Sequence, residues 1–400
     1  MGRDRNILVV TQWNFNDPLI QTYTLPYVKI FSQYFKSTTL VCLNPTLKVR
    51  NEFTVNGVKV IELPFQAITS SNFLKIYFSL SKLVSQLSIT HLHSWCTTAG
   101  SFGYLLKKFY GKNLHLVIDS FEPHAEAMVE NGEWSANSIK FKFLFYLEKD
   151  QAKNANTLIF AADGMQEYIK SKYNHIATNF YVKPACVDFT LFNSTNTKNT
   201  LLLNELSLCN KIVAVYAGKF GGIYLDKEVF EFIKQCIKHW GDSFRFLLLS
   251  NIADEELSSW LKTYSIEPKY VVKKFVPHAQ VANYIGLADF ALTPVKPVPT
   301  KRYCTPIKNG EYWAMGLPIV ITNNISTDSE IIKSNAIGSV FTDLSITSYQ
   351  KSVIEIDKLL NQESKQDLSD RIKIVANSYR NFDIAIKVYK SIYLTNNSVN

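Results

Sequence analysis

Short β-branched runs alternate with amphipathic stretches along almost the whole chain, and the alternation breaks and restarts once. Ile7–Val10, Thr39–Leu43, Val58–Leu63, Ile89–His93, Leu114–Asp119 and Thr157–Phe160 read as strands. Between the first two, apolar Leu25, Val28, Phe31 and Phe35 recur at helical spacing, and Leu74–Gln86, Thr98–Phe109 and Ser138–Lys153 also read as helices. Such alternation calls for parallel sheets covered on both faces. The pattern fades from Val187 to Leu208, where Asn193-Ser-Thr-Asn-Thr-Lys-Asn-Thr is polar and aperiodic and reads as a linker. It resumes with strands at Lys211–Ala217, Phe244–Ser250, Tyr270–Lys273, Phe290–Thr293 and Pro318–Thr322, and helices at Lys227–His239, Asp254–Thr263, Pro277–Gly286 and Ile307–Met315. Ser348–Tyr393 shows helical pattern only. The expectation is an α/β protein of two doubly wound domains, residues 1–190 and 208–380, with C-terminal helices. The last of these, 381–400, would complete the first domain.

The 400 residues suit two domains, and 46% hydrophobic against 19% charged residues supplies full cores rather than disorder. No apolar run approaches the roughly 18 residues of a spanning helix. The basic start and the short run Ile7–Val10 are cut by Thr11-Gln12, so they read as a first strand, not a secretion signal. Six dispersed cysteines without a C-x-x-C pair fit reduced thiols and a cytoplasmic protein. Asn193-Ser-Thr and Asn324-Ile-Ser match the glycosylation pattern by chance in that setting. The net charge of +9 is spread: residues 1–210 carry 20 basic and 15 acidic side chains, the remainder 23 and 19. That points to an anionic partner, whether a phosphorylated substrate, a membrane surface or nucleic acid. No nucleic-acid motif accompanies it.

Ligands of open parallel sheets sit beyond the carboxyl ends of the strands. Two stretches that follow strands, Ser120–Asn137 and Pro294–Thr305, exceed ordinary connections. Both would open on a cleft between the domains. Val215-Tyr-Ala-Gly218-Lys219-Phe-Gly221-Gly222 follows the first strand of the second half; its glycines permit close backbone approach and Lys219 can meet a phosphate. A glycine-rich turn with a solvated lysine explains that stretch equally well. Pro306-Ile-Lys308-Asn-Gly-Glu311-Tyr-Trp-Ala-Met-Gly316-Leu-Pro318 reads as a helix started by Pro306 and stopped by Gly316. Its N-terminus suits a phosphate, and Glu311 one turn on can accept hydrogen bonds from a ribose diol. Lys296, Lys301, Arg302 and Lys308 crowd this end, although a solvated basic loop accounts for the cluster alone.

Gly218-Lys219, Ala288-Asp289 and the P-x-K-x-x-E-Y-x-A-x-G-x-P run at 306–318, in that order, resemble the donor half of GT-B glycosyltransferases, family 4 in particular. The resemblance covers most of Lys211–Ile332 and extends loosely to the first half. It implies two Rossmann-like domains facing a cleft, and transfer of a sugar from a nucleotide-diphosphate sugar to a saccharide or lipid-linked acceptor in polysaccharide biosynthesis. It further implies retention at the anomeric carbon and no resident cofactor. Glu311 matches the family's ribose glutamate, Lys219 its diphosphate cation, and Lys227, at longer spacing, its second phosphate lysine. The family's other glutamate, eight positions before the ribose glutamate, is Tyr303 here, which leaves recognition of the donor sugar open. No D-x-D motif appears, so no metal is expected on the diphosphate.

In the first half, Asp119, Glu122, His124 and Glu126 gather just past a strand, and similar enzymes face donor sugar and acceptor here. Glu122, His124 and the strand-end His93 are the catalytic candidates, each with a purely structural alternative. Asn14-Phe-Asn-Asp17-Pro18 reads as a helix start capped by Asp17. A nucleotide-sugar epimerase on the same fold and a non-catalytic carbohydrate-binding or scaffold protein are the rival readings. The positive excess of the first half also suits a peripheral position on an anionic membrane surface.

Overall fold

The computed structural model describes residues 4–65, 70–193 and 197–394. The chain divides into two compact units, Met1–Pro184 with Asp383–Asn400, and Ala185–Phe382. In unit 1 the strands are β1 (Asn6–Thr11), β2 (Ser37–Asn44), β3 (Asn51–Val55), β4 (Val58–Pro64), β5 (Ile89–Trp95), β6 (His115–Phe121), β7 (Thr157–Phe160) and β8 (Phe180–Val182). They form one sheet in the order β3-β4-β2-β1-β5-β6-β7-β8. All neighbours are parallel except β3, which joins β4 through an Asn56-Gly57 turn with both residues at positive φ. Ile7–Val10 are wholly buried, as a central strand covered on both faces must be.

Helices Ser70–Gln86, Cys96–Tyr110 and Ile139–Asn154 are joined by Phe73, stacked on Phe102 at 4.4 Å and edge-on to Phe143 at 6.4 Å. The stretch Leu19–Phe35 is not one regular helix. A π turn, Ile20–Thr24, precedes α-helix Leu25–Ser32, and Asp17 Oδ1 caps the start by accepting from the Leu19 N–H at 2.9 Å. Phe31 of that helix packs on Tyr389 and Tyr393 of the chain's last helix, Phe382–Tyr393. Residues 395–400, the end of the segment expected to complete the first domain, lie outside the described residues.

Unit 2 contains β9 (Ile212–Ala217), β10 (Phe244–Leu249), β11 (Val271–Lys274), β12 (Phe290–Thr293), β13 (Ile319–Thr322) and β14 (Gly338–Phe341), all parallel, in the order β11-β10-β9-β12-β13-β14. Alternate residues feed two cores. Val213, Val215, Ile319 and Ile321 enter one, while Ala214, Tyr216, Phe290 and Val320 enter the other. This period of two with both faces buried is the signature of a doubly wound sheet.

The stretch read as a linker is part of this unit. Val187, Phe192, Leu206 and Leu208 are buried in its core, and a helix runs from Thr200 to Glu205 with the Asn199 side chain capping Leu201 and Leu202. Its polar side chains mark an exposed surface over apolar anchors; residues 194–196, two of them in Asn193-Ser-Thr, lie outside the described residues. The tail is three helices, of which Ile346–Gln362 and Lys365–Arg380 belong to unit 2 and Phe382–Tyr393, from Asp383 on, to unit 1.

Candidate functional site

In unit 2 the chain leaves β9 toward β10 on one side and later returns to β12 on the other, so strand order reverses between β9 and β12. The crevice at such a switch point is where doubly wound sheets take ligands. Two loops line it and are tied together. Leu225 N–H donates to Pro294 O at 2.8 Å, Lys296 N–H to Ile223 O at 2.9 Å, and Tyr224 bridges to Val295. Helix Ile307–Ala314 follows, with Pro306 as its N-cap rather than its first helical residue.

Lys308 is the central side chain. It is 8% exposed, and its Nζ has no hydrogen-bond partner. The ammonium lies 4.4 Å from the ring centre of Tyr216 and 4.1 Å from that of Tyr224. Gly218, with φ of +155°, makes room for it, since a Cβ there would fall 2.7 Å from Lys308 Nζ. Burying an ammonium costs several kcal/mol, and two cation–π contacts worth about 2 kcal/mol each offset only part of that. Burial accordingly pushes the Lys308 pKa down to about 7, with Glu311 acting in the opposite sense. A cation held this way lacks an anion.

The helix carrying Lys308 is held rigidly. Thr293 Oγ1 donates to Asn309 Oδ1 and Asn309 Nδ2 to Asp328 Oδ2, both at 2.6 Å and buried, and Arg380 pairs with the other Asp328 oxygen. Gly310 lets the Arg380 side chain lie against the helix, where a Cβ would approach it to 3.3 Å. Tyr312 OH accepts from the Ala217 N–H at 2.9 Å, fixing the helix to the end of β9. Glu311 is mostly covered, with Oε1 3.5 Å from His278 Nε2. Lys308, Gly218 and Glu311 thus meet at one switch point.

Other expected residues stand differently. Lys219 and Lys227 are exposed, and the Lys219 carbonyl accepts from Tyr216 OH at 2.5 Å. Gly221, at φ +73°, faces open space. Arg302 is committed to Glu330 at 2.7 Å and the Ser326 carbonyl at 2.9 Å, a surface tie that the basic cluster in the sequence does not reveal. Lys301 is buried in the turn Pro299–Tyr303, its carbonyl accepting from the Ser326 N–H. Sequence reasoning passed over Tyr216, Tyr224 and His278. The visible signal was a polar-tipped aromatic two residues before a glycine at a strand end.

In unit 1 the strand-end reading of His93 is corrected. His93 is fully buried, Nδ1 2.6 Å from Tyr393 OH and Nε2 3.3 Å from Asp119. Asp119 also accepts from Tyr389 OH at 2.8 Å and pairs with buried Lys183 at 3.3 Å. Burial alone would raise the Asp119 pKa; Lys183 and His93 outweigh it and hold the carboxyl down to about 2. Lys183 Nζ lies 3.8 Å from the Tyr27 ring centre, with Tyr23, Trp95 and Tyr389 within 5.8 Å. This cluster anchors the last helix and is closed to substrate. Glu122 and His124 remain partly exposed past β6, 3.6 Å apart. Beneath them buried Glu148 accepts from Ala125 N–H at 2.9 Å and Tyr173 OH at 3.1 Å, and burial pushes its carboxyl up to about 8. Glu126 is tied to Tyr168 and Lys172.

No family model and no curated protein sequence matches the chain. Solved structures do. Sucrose-phosphate synthase from Thermosynechococcus elongatus superposes with a TM-score of 0.73 at 12% identity over 98% of this chain and 99% of that one. HepE of Anabaena, in complex with UDP, gives 0.72 at 11% over 99% and 100%. WaaG, a glycosyltransferase involved in lipopolysaccharide biosynthesis, gives 0.71 at 10% over 97% and 99%. The chain has the GT-B fold of these glycosyltransferases, with two Rossmann-like domains.

Proposed function

We propose that this chain is a glycosyltransferase, moving a sugar from a nucleoside-diphosphate sugar to a saccharide or lipid-linked acceptor. The observation that carries the reading is the buried Lys308 ammonium, without a hydrogen-bond partner, beside Gly218 and one turn before Glu311. A diphosphate there would meet that cation, the free N–H groups that open helix Ile307–Ala314 and the backbone of Gly218-Lys219. Glu311 would take the ribose hydroxyls, displacing His278. The complex of HepE with UDP makes UDP the first nucleotide to try.

In the reaction, the acceptor oxygen bonds the anomeric carbon as the bond from that carbon to the diphosphate breaks. Negative charge grows on the departing oxygen, and Lys308 stabilises it in a covered site where such an interaction is strong. A fixed protein cation in this place makes a divalent metal unnecessary. The acceptor proton would pass to the leaving diphosphate. Retention is carried by the family resemblance of the 306–318 run alone.

The test is turnover of UDP-, GDP- and ADP-sugars with and without added saccharide acceptors, the product's anomeric configuration read by NMR. Transfer that needs an acceptor and is lost in Glu311→Ala supports the reading. An altered donor sugar formed without acceptor would establish an epimerase instead. Binding without turnover of any donor would favour a scaffold.

A further inference from the structure

Unit 1 has a switch point of its own, because the chain leaves β1 toward β2 on one side and later returns to β5 on the other. The crevice there is where a doubly wound sheet takes its ligand. A separate cavity opens on the same edge, since β4, β2, β1 and β5 run parallel. The loop after β2, the end of β4 and the first turns of helix Ser70–Gln86 line it, and it encloses about 720 Å³. That is the size of a small-ligand pocket. From the gap between β4 and β2 to the gap between β1 and β5 is two strand spacings, about 10 Å.

The lining is of three kinds. Leu63 and Ile76, each 3% exposed, lie beside Phe78, whose ring is 64% exposed. Asn72 and Ser79 add an amide and a hydroxyl. Lys48 and Lys75 are exposed, and neither forms an ion pair among the described residues. The acids of the neighbouring elements are committed elsewhere. Glu52 pairs with Arg50 at 2.6 Å and Lys59 at 2.8 Å. Buried Glu62 accepts from Asn44 Nδ2 at 2.8 Å and from Asn51 Nδ2 and the Phe15 N–H at 3.2 Å. Helix Ser70–Gln86 contains no Asp or Glu. The cavity thus presents two uncompensated cations, an open aromatic face and two neutral hydrogen-bonding groups. An acidic sugar has a counterpart for each: a carboxylate for the ammonium groups, the apolar face of its ring for Phe78, and hydroxyls for Asn72 and Ser79. A bare anion would use the lysines alone.

We propose that this cavity binds an acidic sugar unit of a saccharide acceptor, while the unit that receives the new bond lies in the switch-point crevice. The two positions are too far apart for a single ring. The acceptor is therefore an oligosaccharide that carries its acid on a unit other than the reacting one. The place of the reacting unit rests on the glycosyltransferase reading; the preference of the cavity for an acid does not.

Calorimetric titration of the full chain with oligogalacturonic and glucuronic-acid-containing oligosaccharides, each compared with its methyl ester, tests it. Esterification keeps the sugar skeleton and removes the charge. The acids should bind about tenfold tighter than the esters, the effect of two exposed ion pairs, and salt should shrink the difference. Lys48→Gln with Lys75→Gln should bring the acids down to the affinity of the esters. Phe78→Ala should weaken both forms by the same factor. UDP, GDP and ADP are titrated into the same proteins, and their affinities should not change. A wild type that prefers the acids but binds no nucleotide would support the cavity assignment and count against the glycosyltransferase reading alone. Equal affinity for acids and esters, an acid preference that survives in the double lysine variant, or binding of anionic phospholipid vesicles through these lysines with every saccharide ignored would each overturn the proposal.

Discussion

Each unit buries a lysine in a cage of aromatic rings, and the two lysines differ in one respect. Lys183 of unit 1, fully buried among Tyr27, Tyr23, Trp95 and Tyr389, pairs with Asp119, which also holds His93 and Tyr389. Lys308 of unit 2, between Tyr216 and Tyr224, has no hydrogen-bond partner. The first cation is neutralised within the fold and serves the fold. The second is left short of an anion at a topological switch point, where the proposed diphosphate would supply one. Burial of charge by itself does not identify a site; the missing counter-charge does.

Substitutions that treat the two lysines alike should therefore give opposite results. Lys183→Met leaves the buried Asp119 carboxylate without its cation, and chemical denaturation should show a loss of about 3–5 kcal/mol. Lys308→Met removes an uncompensated buried charge, so the ligand-free protein should be as stable or more stable. Its turnover should nevertheless fall by about 10²–10³, the effect of removing one preorganised donor to a developing anion. Comparable destabilisation by both variants would erase the distinction. Gly218→Ala should be milder in stability, about 1–3 kcal/mol for a strained positive φ. It should also weaken nucleotide binding, because the new methyl group meets Lys308 Nζ.

Proton linkage sharpens the same contrast. Lys308 has a folded pKa of about 7, below that of an unfolded lysine near 10.5. The unfolded chain then binds the extra proton between those values, so this residue makes stability rise with pH from about 7 to 10.5. Asp119, held down to about 2, contributes stability that is present above its unfolded value near 3.8 and is lost as pH falls through 2. Thermal denaturation against pH should lose the alkaline slope in Lys308→Met and keep the acid one.

The strands of both sheets were legible where β-branched runs are long and buried, as at Ile7–Val10, and at 306–318, where Pro306 and Gly316 mark the helix ends. Three strands were not. Asn51–Val55 is an exposed edge strand, Phe180–Val182 is three residues long, and Gly338–Phe341 opens on Gly338-Ser339 with a single β-branched residue. Asn56-Gly57 was the available hint for the first. Glu311 could be proposed because its helix and its spacing from Gly316 are local. Lys308 read as one lysine of a solvated cluster, because its cage is assembled from Tyr216 and Tyr224, more than 80 positions earlier. His93 looked catalytic for the same reason: its partner Tyr393 comes 300 residues later. Helical periodicity in the tail shows that a helix forms, not which sheet it covers.

The most direct measurement is isothermal titration of UDP, GDP and ADP into the wild-type protein and Lys308→Met at pH 8, in two buffers of different ionisation enthalpy. At that pH the ligand-free Lys308 is largely neutral, and a bound diphosphate should recharge it. The wild type should take up close to one proton with its preferred nucleotide, and binding should weaken as pH rises further. Lys308→Met should lose both the proton uptake and most of the affinity. Wild-type affinity in Lys308→Met, or binding without proton uptake in the wild type, would contradict the assignment of Lys308 as the cation that receives the diphosphate.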